Sequence, residues 1–306
     1  MRIGIVQVDG KLYQGTLFPN IALMKIAGYH EQLGDNVEWY LGDLWADQYD
    51  KIYASKIFSF SEMPQLPSGK TIIGGTGIDF SNRLPNDIEA SPISYSLYPD
   101  CNFHVGFSMK GCRFACKFCC VPKKEGRPYR YNGIDELIVN PNGGNRLMLL
   151  DNDFFGGPTW RSDLERVIAL KLKVCFVQGL NIRIITEEQA SLLAQCRYYS
   201  KDFRQRYLSF AWDRYNDGKL IKKGIEICNS AGIPCKHMQF FVLIGFDTTP
   251  EQDYERVMTL REIGCMPFVM PYKKEDQTCA LTVLNGNPKT KRRINNDTGR
   301  TFNTAI

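Results

Sequence analysis

No stretch of this 306-residue sequence approaches the roughly 18 uninterrupted apolar residues that a membrane helix needs. A secretory leader is missing too: the apolar run at residues 3–8 turns polar at Asp9, too soon for an h-region, and reads instead as a first β-strand. Both absences point to a cytoplasmic protein with no membrane partner. Histidine is scarce. The three present, His30, His104 and His237, stand far apart, so no histidine pair suggests a metal site. His30 reads as a surface or capping residue at the end of the first helix. His104 reads as a core residue that could also reach a site. Internal repeats and low-complexity segments are absent as well.

What is present suffices for a buried core, with 43% hydrophobic and 12% aromatic residues. The net charge of +5 is modest. Basic runs at 123–127 and 289–293 nevertheless keep phosphate, and hence nucleic acid, among the ligands to consider. The eleven cysteines are an odd number in a chain expected in a reducing compartment. They read as metal ligands, reactive groups and small buried hydrophobes rather than as a disulfide framework.

Periodicity predicts strands at 3–8, 37–41, 51–55 and 71–74, with a helix through Ile21, Leu23, Met24, Ile26 and Ala27 that ends near Gly34. Such alternation implies a small parallel α/β sheet over residues 1–90. Residues 81–100 hold three prolines and no period, as a linker or wrapping segment would. Strands are then expected at 103–107, 147–150, 174–177, 207–211, 235–243 and 267–270. Helices are expected between them at 161–172, 187–195, 219–231 and 250–263. Six units in about 170 residues suggest a parallel barrel short of the full eight, a partial (β/α)6 barrel over 91–275. A polar tail follows over 276–306.

The first barrel strand runs into "GCRFACKFCC", where Cys112, Cys116 and Cys119 have the spacing C-x3-C-x2-C. Three thiolates so spaced can hold three irons of a [4Fe-4S] cubane and leave the fourth open for chemistry. A zinc site would want a fourth ligand, from Cys101, Cys120 or His104. The loop's place at the C-terminal mouth of a β-α barrel favours the open cluster, because such folds keep their active sites there.

With Phe118 just before the last cysteine, the loop resembles the hallmark of the radical S-adenosylmethionine (SAM) superfamily, and the likeness extends over about residues 101–271. The resemblance implies that the open iron chelates the methionine end of SAM. It also implies reductive cleavage to a 5′-deoxyadenosyl radical, fed by an electron donor such as flavodoxin or ferredoxin. Asn152 or Asp153, in the altered Gly-Gly-Glu-like segment after the second strand, would receive the amino group. Gln178 and Arg183, in "QGLNIR", stand at the barrel mouth, and Arg183 could pair with the carboxylate in a bidentate contact. Asp213 would meet the ribose hydroxyls. Ile244 and Gly245 would pack on adenine, and the Phe118 backbone would contribute to the same contact. Thr248 or Thr249 reads as the cap of the helix at Pro250.

No cysteine precedes Cys101, unlike the methylthiotransferase subgroup with its second cluster. Cys175, Cys196 and Cys228 lie in apolar patterns and are expected in the core, as are Cys235 and Cys265. Cys120 and Cys279 remain as candidate reactive thiols. The front domain resembles the Rossmann-like domain of cobalamin-type radical SAM proteins, including a turn of Gly74, Gly75, Thr76 and Gly77. The D-x-H-x-x-G cobalamin signature is missing, which weighs against cobalamin. The fold expected is therefore α/β, a Rossmann-like N-terminal domain followed by a partial barrel. The activity expected is hydrogen abstraction from a substrate, nucleic acid or peptide if it is large. Two alternatives stay open: a cobalamin-dependent radical SAM methyltransferase, or a non-catalytic metal- or nucleic-acid-binding module.

Overall fold

The computed structural model describes residues 1–9, 12–13 and 16–272. Cys279, the basic run at 289–293 and the tail from 276 lie outside the described residues. The fold is α/β with parallel sheets, and the chain divides into two units. Among the described residues, the first is Met1–Val105 with Val139–Gly144; the second is Gly106–Ile138 with 145–272.

The first unit holds a parallel sheet of β1 (Arg2–Gln7), β2 (Asn36–Trp39), β3 (Lys51–Ser55) and β4 (Thr71–Gly74), in the order β2-β1-β3-β4. Helix α1 (Ile21–Gln32) starts where the Asn20 side chain accepts from the amides of Ala22 and Leu23. It buries Leu23, Met24, Ile26 and Ala27, while β1 buries Ile3 and Ile5. Residues 81–100 wrap rather than link. Ser94 N donates to Met24 O at 3.0 Å, and Ile88, Tyr95, Leu97 and Tyr98 are buried. Gly28 permits this, since a Cβ there would lie 2.0 Å from Pro92 O.

His30 is not at the surface. It is 2% exposed, with Nδ1 2.7 Å from Asp35 Oδ2 and Nε2 3.0 Å from Tyr53 OH. Gly34, at φ +78°, turns the chain back after α1 and so brings Asp35 to the ring. The Met1 ammonium, and after it His30, holds the Asp35 carboxyl below its usual range. His104 is a satisfied core residue of the same unit. Its Nδ1 accepts from Asn140 N at 3.1 Å and its Nε2 donates to Gly144 O at 3.1 Å, while burial lowers its pKa.

The glycine turn after β4 serves the chain itself. Gly75 has φ +104°, and a Cβ there would sit 2.2 Å from Lys56 O; at Gly77 it would sit 2.7 Å from the Phe58 backbone. At the carboxyl ends of β1 and β3, side chains satisfy one another. Asn20 Nδ2 donates to Ser55 Oγ at 2.9 Å, Tyr98 OH to Gln7 Oε1 at 2.7 Å, and Gln7 Nε2 to Phe18 O at 2.9 Å.

The second unit carries β5 (Arg146–Leu149), α2 (Trp160–Ala169), β6 (Lys173–Phe176), α3 (Glu187–Gln195) and the short β7 (Arg197–Tyr198). Then come β8 (Leu208–Ala211), α4 (Gly218–Ser230), β9 (Met238–Ile244), α5 (Pro250–Ile263) and β10 (Met266–Pro271). Strands β5, β6 and β7 pair in parallel, as do β8, β9 and β10. A parallel bridge between Leu180 and Phe210 joins the two sets, with Leu180 N donating to Ser209 O at 2.8 Å. At the other edge Leu150 N donates to Gly106 O at 2.9 Å.

One cluster of Leu147, Leu149, Val174, Phe176, Phe210 and Phe240, with others, fills the unit's core. Cys175, Cys196, Cys228 and Cys265 are buried, and burial pushes each thiol up to about 12. Cys235 is half-buried against the same core and lies in a 3-10 turn, not a strand, because β9 begins only at Met238. His237, in that turn, meets Tyr198 OH through Nδ1 at 3.0 Å.

Candidate metal centre and adjoining cleft

The cysteine loop is closed by a two-rung antiparallel ribbon, Met109 opposite Arg130 and Lys110 opposite Tyr129. Gly111 makes the entry turn at φ +86°, and a Cβ there would lie 2.3 Å from Arg127 O. Cys112 N then donates to Gly126 O at 3.0 Å, and Cys119 N to Cys116 O at 3.0 Å. After the last cysteines the Cys120 carbonyl accepts from Lys123 N and Lys124 N, capping a single helical turn over Val121–Lys124.

Beneath this loop, three consecutive polar residues following β5 act as braces. Asp151 accepts from Ser108 N at 2.8 Å, Ser108 Oγ at 2.5 Å and Met109 N at 3.3 Å, and burial raises its pKa to about 7. Asn152 Nδ2 donates to Glu125 Oε2 at 2.9 Å, the same oxygen that accepts from Gly111 N at 2.8 Å. Asp153 takes Arg113 at two points, Nε to Oδ2 at 2.8 Å and Nη2 to Oδ1 at 2.9 Å, with Arg113 N adding a third bond at 3.0 Å. Gly156 leaves room for that pair, since a Cβ would lie 2.4 Å from Asp153 Oδ2. Asn152 and Asp153, expected at the methionine amino group, are thus engaged in holding the cysteine loop.

The thiols of Cys112, Cys116 and Cys119 are half-buried. Burial first, then Asp153 and the other two thiols, push Cys112 up to about 11. Burial likewise raises Cys116, with Arg183 opposing and Cys119 adding to the rise. These three form one electrostatic group. Cys120 is outside it: burial raises its pKa, and the charges it meets are Lys124 and Glu125. Among the described residues, no three His, Cys, Asp or Glu side chains converge as ligands of a metal ion.

Comparison with known proteins gave no match. No protein-family model, curated protein or solved structure matches this chain. The geometry must therefore be read on its own terms.

Beside the cysteine loop lies a cleft of about 590 Å³, within the range of small-molecule sites. Its lining brings together Cys116 and Phe118 from the loop, Arg183 from the turn after β6, and Asp213 from the end of β8. Arg183 is only 15% exposed. Its Nη1 donates to Asp217 Oδ2 at 2.9 Å, and its guanidinium lies 4.6 Å from the centre of the Phe114 ring. That places it in the cleft wall, not on open surface. Burial raises the Asp213 carboxyl to about 6, with Arg183 and Arg256 pulling the other way. The Phe118 ring meets Phe246 edge-on at 5.4 Å, and Phe246 meets Tyr272 at 4.7 Å.

Other expected contacts lie off the lining. Gln178 is half-buried between β6 and the Gly179 turn, and Ile244 is fully buried at the end of β9. Gly245 follows at φ +71°, its amide donating to Asp253 Oδ2 at 3.1 Å. Thr249 caps α5 in a capping box with Gln252, whereas Thr248 Oγ1 donates to Asp253 Oδ1 at 2.5 Å. Sequence reasoning did not single out Phe114, Arg214, Asp217 or Phe246, all of which line the cleft. Asp217 offered the one available signal, an acidic residue directly before the α4 pattern. Its carboxylate receives Arg183 and, at 2.8 Å, Arg214.

Proposed function

We propose that this chain is a radical SAM enzyme whose Cys112, Cys116 and Cys119 hold a [4Fe-4S] cluster and whose cleft binds SAM. The observation that carries the reading is the meeting of Cys116, Phe118, Arg183 and Asp213, from three separate stretches of sequence, in one cleft. Three half-buried thiols, with Cys112 raised by burial and by the other two and Cys116 by burial and by Cys119, call for a cationic centre, which would draw them into thiolates. When bound, cluster and SAM supply an electron and a scissile sulfur–carbon bond, giving methionine and a 5′-deoxyadenosyl radical that takes hydrogen from substrate.

The chain's own part is to bind, orient and shield. Arg183, fixed by Asp217, presents its guanidinium beside Cys116, where a carboxylate would be held. Asp213 offers acceptor oxygens to ribose hydroxyls. Phe118 and Phe246, in edge-on contact, give the cleft an apolar side. The electron would come from a small donor such as flavodoxin or ferredoxin. In fold terms this reading takes the parallel strands of the second unit, joined at Leu180 and Phe210, as part of a (β/α)6 barrel, and the first unit as Rossmann-like.

Cobalamin is left out of the reading. In the first unit Gly75 and Gly77 are used by the approach of Lys56 and Phe58, and the strand ends are filled by Asn20, Ser55, Gln7 and Tyr98. The test is anaerobic reconstitution with iron and sulfide, followed by metal analysis, visible and EPR spectra, and an assay for 5′-deoxyadenosine after adding SAM and reductant. A four-iron signal with deoxyadenosine formation supports the assignment. Bound zinc, or no cleavage of SAM by the iron-loaded protein, overturns it in favour of a binding module.

A further inference from the structure

The chain's net charge of +5 is unevenly spread along the sequence. Between Met109 and Tyr131 the sequence has seven basic residues and one acidic residue, so this segment alone is more positive than the whole chain. The fold then sharpens the imbalance. The single acid, Glu125, is turned inward onto Gly111 N and Asn152 Nδ2. Of the basic residues, Arg113 is bound to Asp153, while Lys117, Lys123, Arg127 and Arg130 are exposed. Aromatic rings stand among these cations: Tyr129 is 44% exposed, and Lys110 Nζ lies 3.8 Å from the centre of the Tyr131 ring.

We propose that this ribbon and loop form a binding face for single-stranded nucleic acid. Cations tracking a phosphate backbone, with an exposed ring on which a base can stack, are the physical ingredients of single-strand binding. A duplex would offer Tyr129 no open base face, and an acidic peptide would gain little from stacking. The face also leads into the cleft, because Phe114, Lys117 and Phe118 belong to both. A strand held on the ribbon would therefore present a nucleotide at the candidate reaction site. As substrate recognition, this rests on the radical SAM reading; as binding, it does not.

The experiment uses the full chain, with and without reconstituted iron, titrated into fluorescently labelled 20-mers of single-stranded RNA, single-stranded DNA and the matching duplexes. Poly-glutamate serves as the acidic-peptide probe. Single strands are expected to bind at least ten-fold more tightly than duplex or poly-glutamate. Tyr129→Ala should weaken binding roughly five- to hundred-fold with the melting temperature unchanged. Lys123→Gln combined with Arg127→Gln should lower the slope of log affinity against log salt by about 1.4. Equal binding of single strand and duplex, or indifference to Tyr129→Ala, overturns the proposal in favour of a nonspecific polycationic surface. Tight poly-glutamate binding overturns it in favour of an acidic protein partner. Single-strand binding without deoxyadenosine formation would leave this face standing and remove the radical SAM reading; deoxyadenosine formation without strand binding would do the reverse.

Discussion

Arg113 and Asp153 meet in a two-point contact, Nε to Oδ2 at 2.8 Å and Nη2 to Oδ1 at 2.9 Å, which fixes the cysteine loop to the residue that follows β5 by four positions. The two ends of the contact are unequal: the Asp153 side chain is 2% exposed and that of Arg113 34%. Removing the arginine strands a buried carboxylate, whereas removing the carboxylate frees an arginine that can reach water. Arg113→Ala should therefore cost more, about 2–3 kcal/mol against about 1–2 for Asp153→Ala. Urea unfolding of both variants and the double variant tests this; equal losses that simply add would show that the contact does not hold the loop.

Gly111 tests the same loop from its other end. Its φ of +86° and the 2.3 Å approach of a Cβ to Arg127 O leave no room for a side chain. Gly111→Ala should unseat the Cys112 to Gly126 hydrogen bond and reduce iron bound per chain after reconstitution, at a cost of about 1–3 kcal/mol. Iron content equal to that of the parent protein would show the turn to be irrelevant to the thiols.

These two contacts mark where the sequence stops being legible. The strands and helices of both units followed from apolar periodicity, and the thiols from their spacing, because both signals are local. The braces were not legible in the same way. Asn152 and Asp153 were expected to face a ligand, and only the tertiary fold shows Glu125 and Arg113 turned onto them. His30 misled for a similar reason. A histidine at a helix end looks like a surface cap until Gly34 folds Asp35 back and Tyr53 arrives from β3. The short strand at Arg197–Tyr198 has too few residues to show a period at all.

Asp213 predicts a pH dependence. Burial raises its carboxyl from 3.8 to about 6, so between those values the folded chain binds more protons than the unfolded one. Stability from this group is therefore highest below about pH 4 and is lost as pH rises through about 6. Asp213→Asn does not titrate, so in metal-free protein its stability relative to the parent should climb from pH 4 to 6 and then level. The gain should be about 1–3 kcal/mol. A difference that is flat over this range would mean that solvent reaches the carboxylate freely.

Arg256 is fully buried and carries the ends of two strands. It donates to Trp212 O and Leu243 O and pairs with Asp253, which in turn accepts from Gly245 N and Thr248 Oγ1. Its Nε has no hydrogen-bond partner among the described residues. Arg256→Met leaves Asp253 buried without its counter-charge and should cost about 3–5 kcal/mol. Asp253→Asn keeps an acceptor for the Gly245 amide and should cost less. Thermal melts of the two variants decide the order, and Arg256→Met melting with the parent would show that the buried pair contributes no net stability.

Cys120 offers the sharpest discrimination at the proposed metal centre. It adjoins Cys119 in sequence, yet the charges acting on it are Lys124 and Glu125, whereas Cys112 feels Cys116 and Cys119, and Cys116 feels Cys119. Its backbone carbonyl accepts from Lys123 N and Lys124 N at the start of the turn Val121–Lys124. Under a three-thiolate cluster, serine at Cys112, Cys116 or Cys119 should each abolish the cluster's visible absorbance, while Cys120→Ser should retain about four irons per chain. Under a four-thiolate zinc site, all four substitutions should release metal alike. Loss of iron from Cys120→Ser with an unchanged melting temperature would make that thiol a ligand and close the open iron on which the proposed chemistry depends.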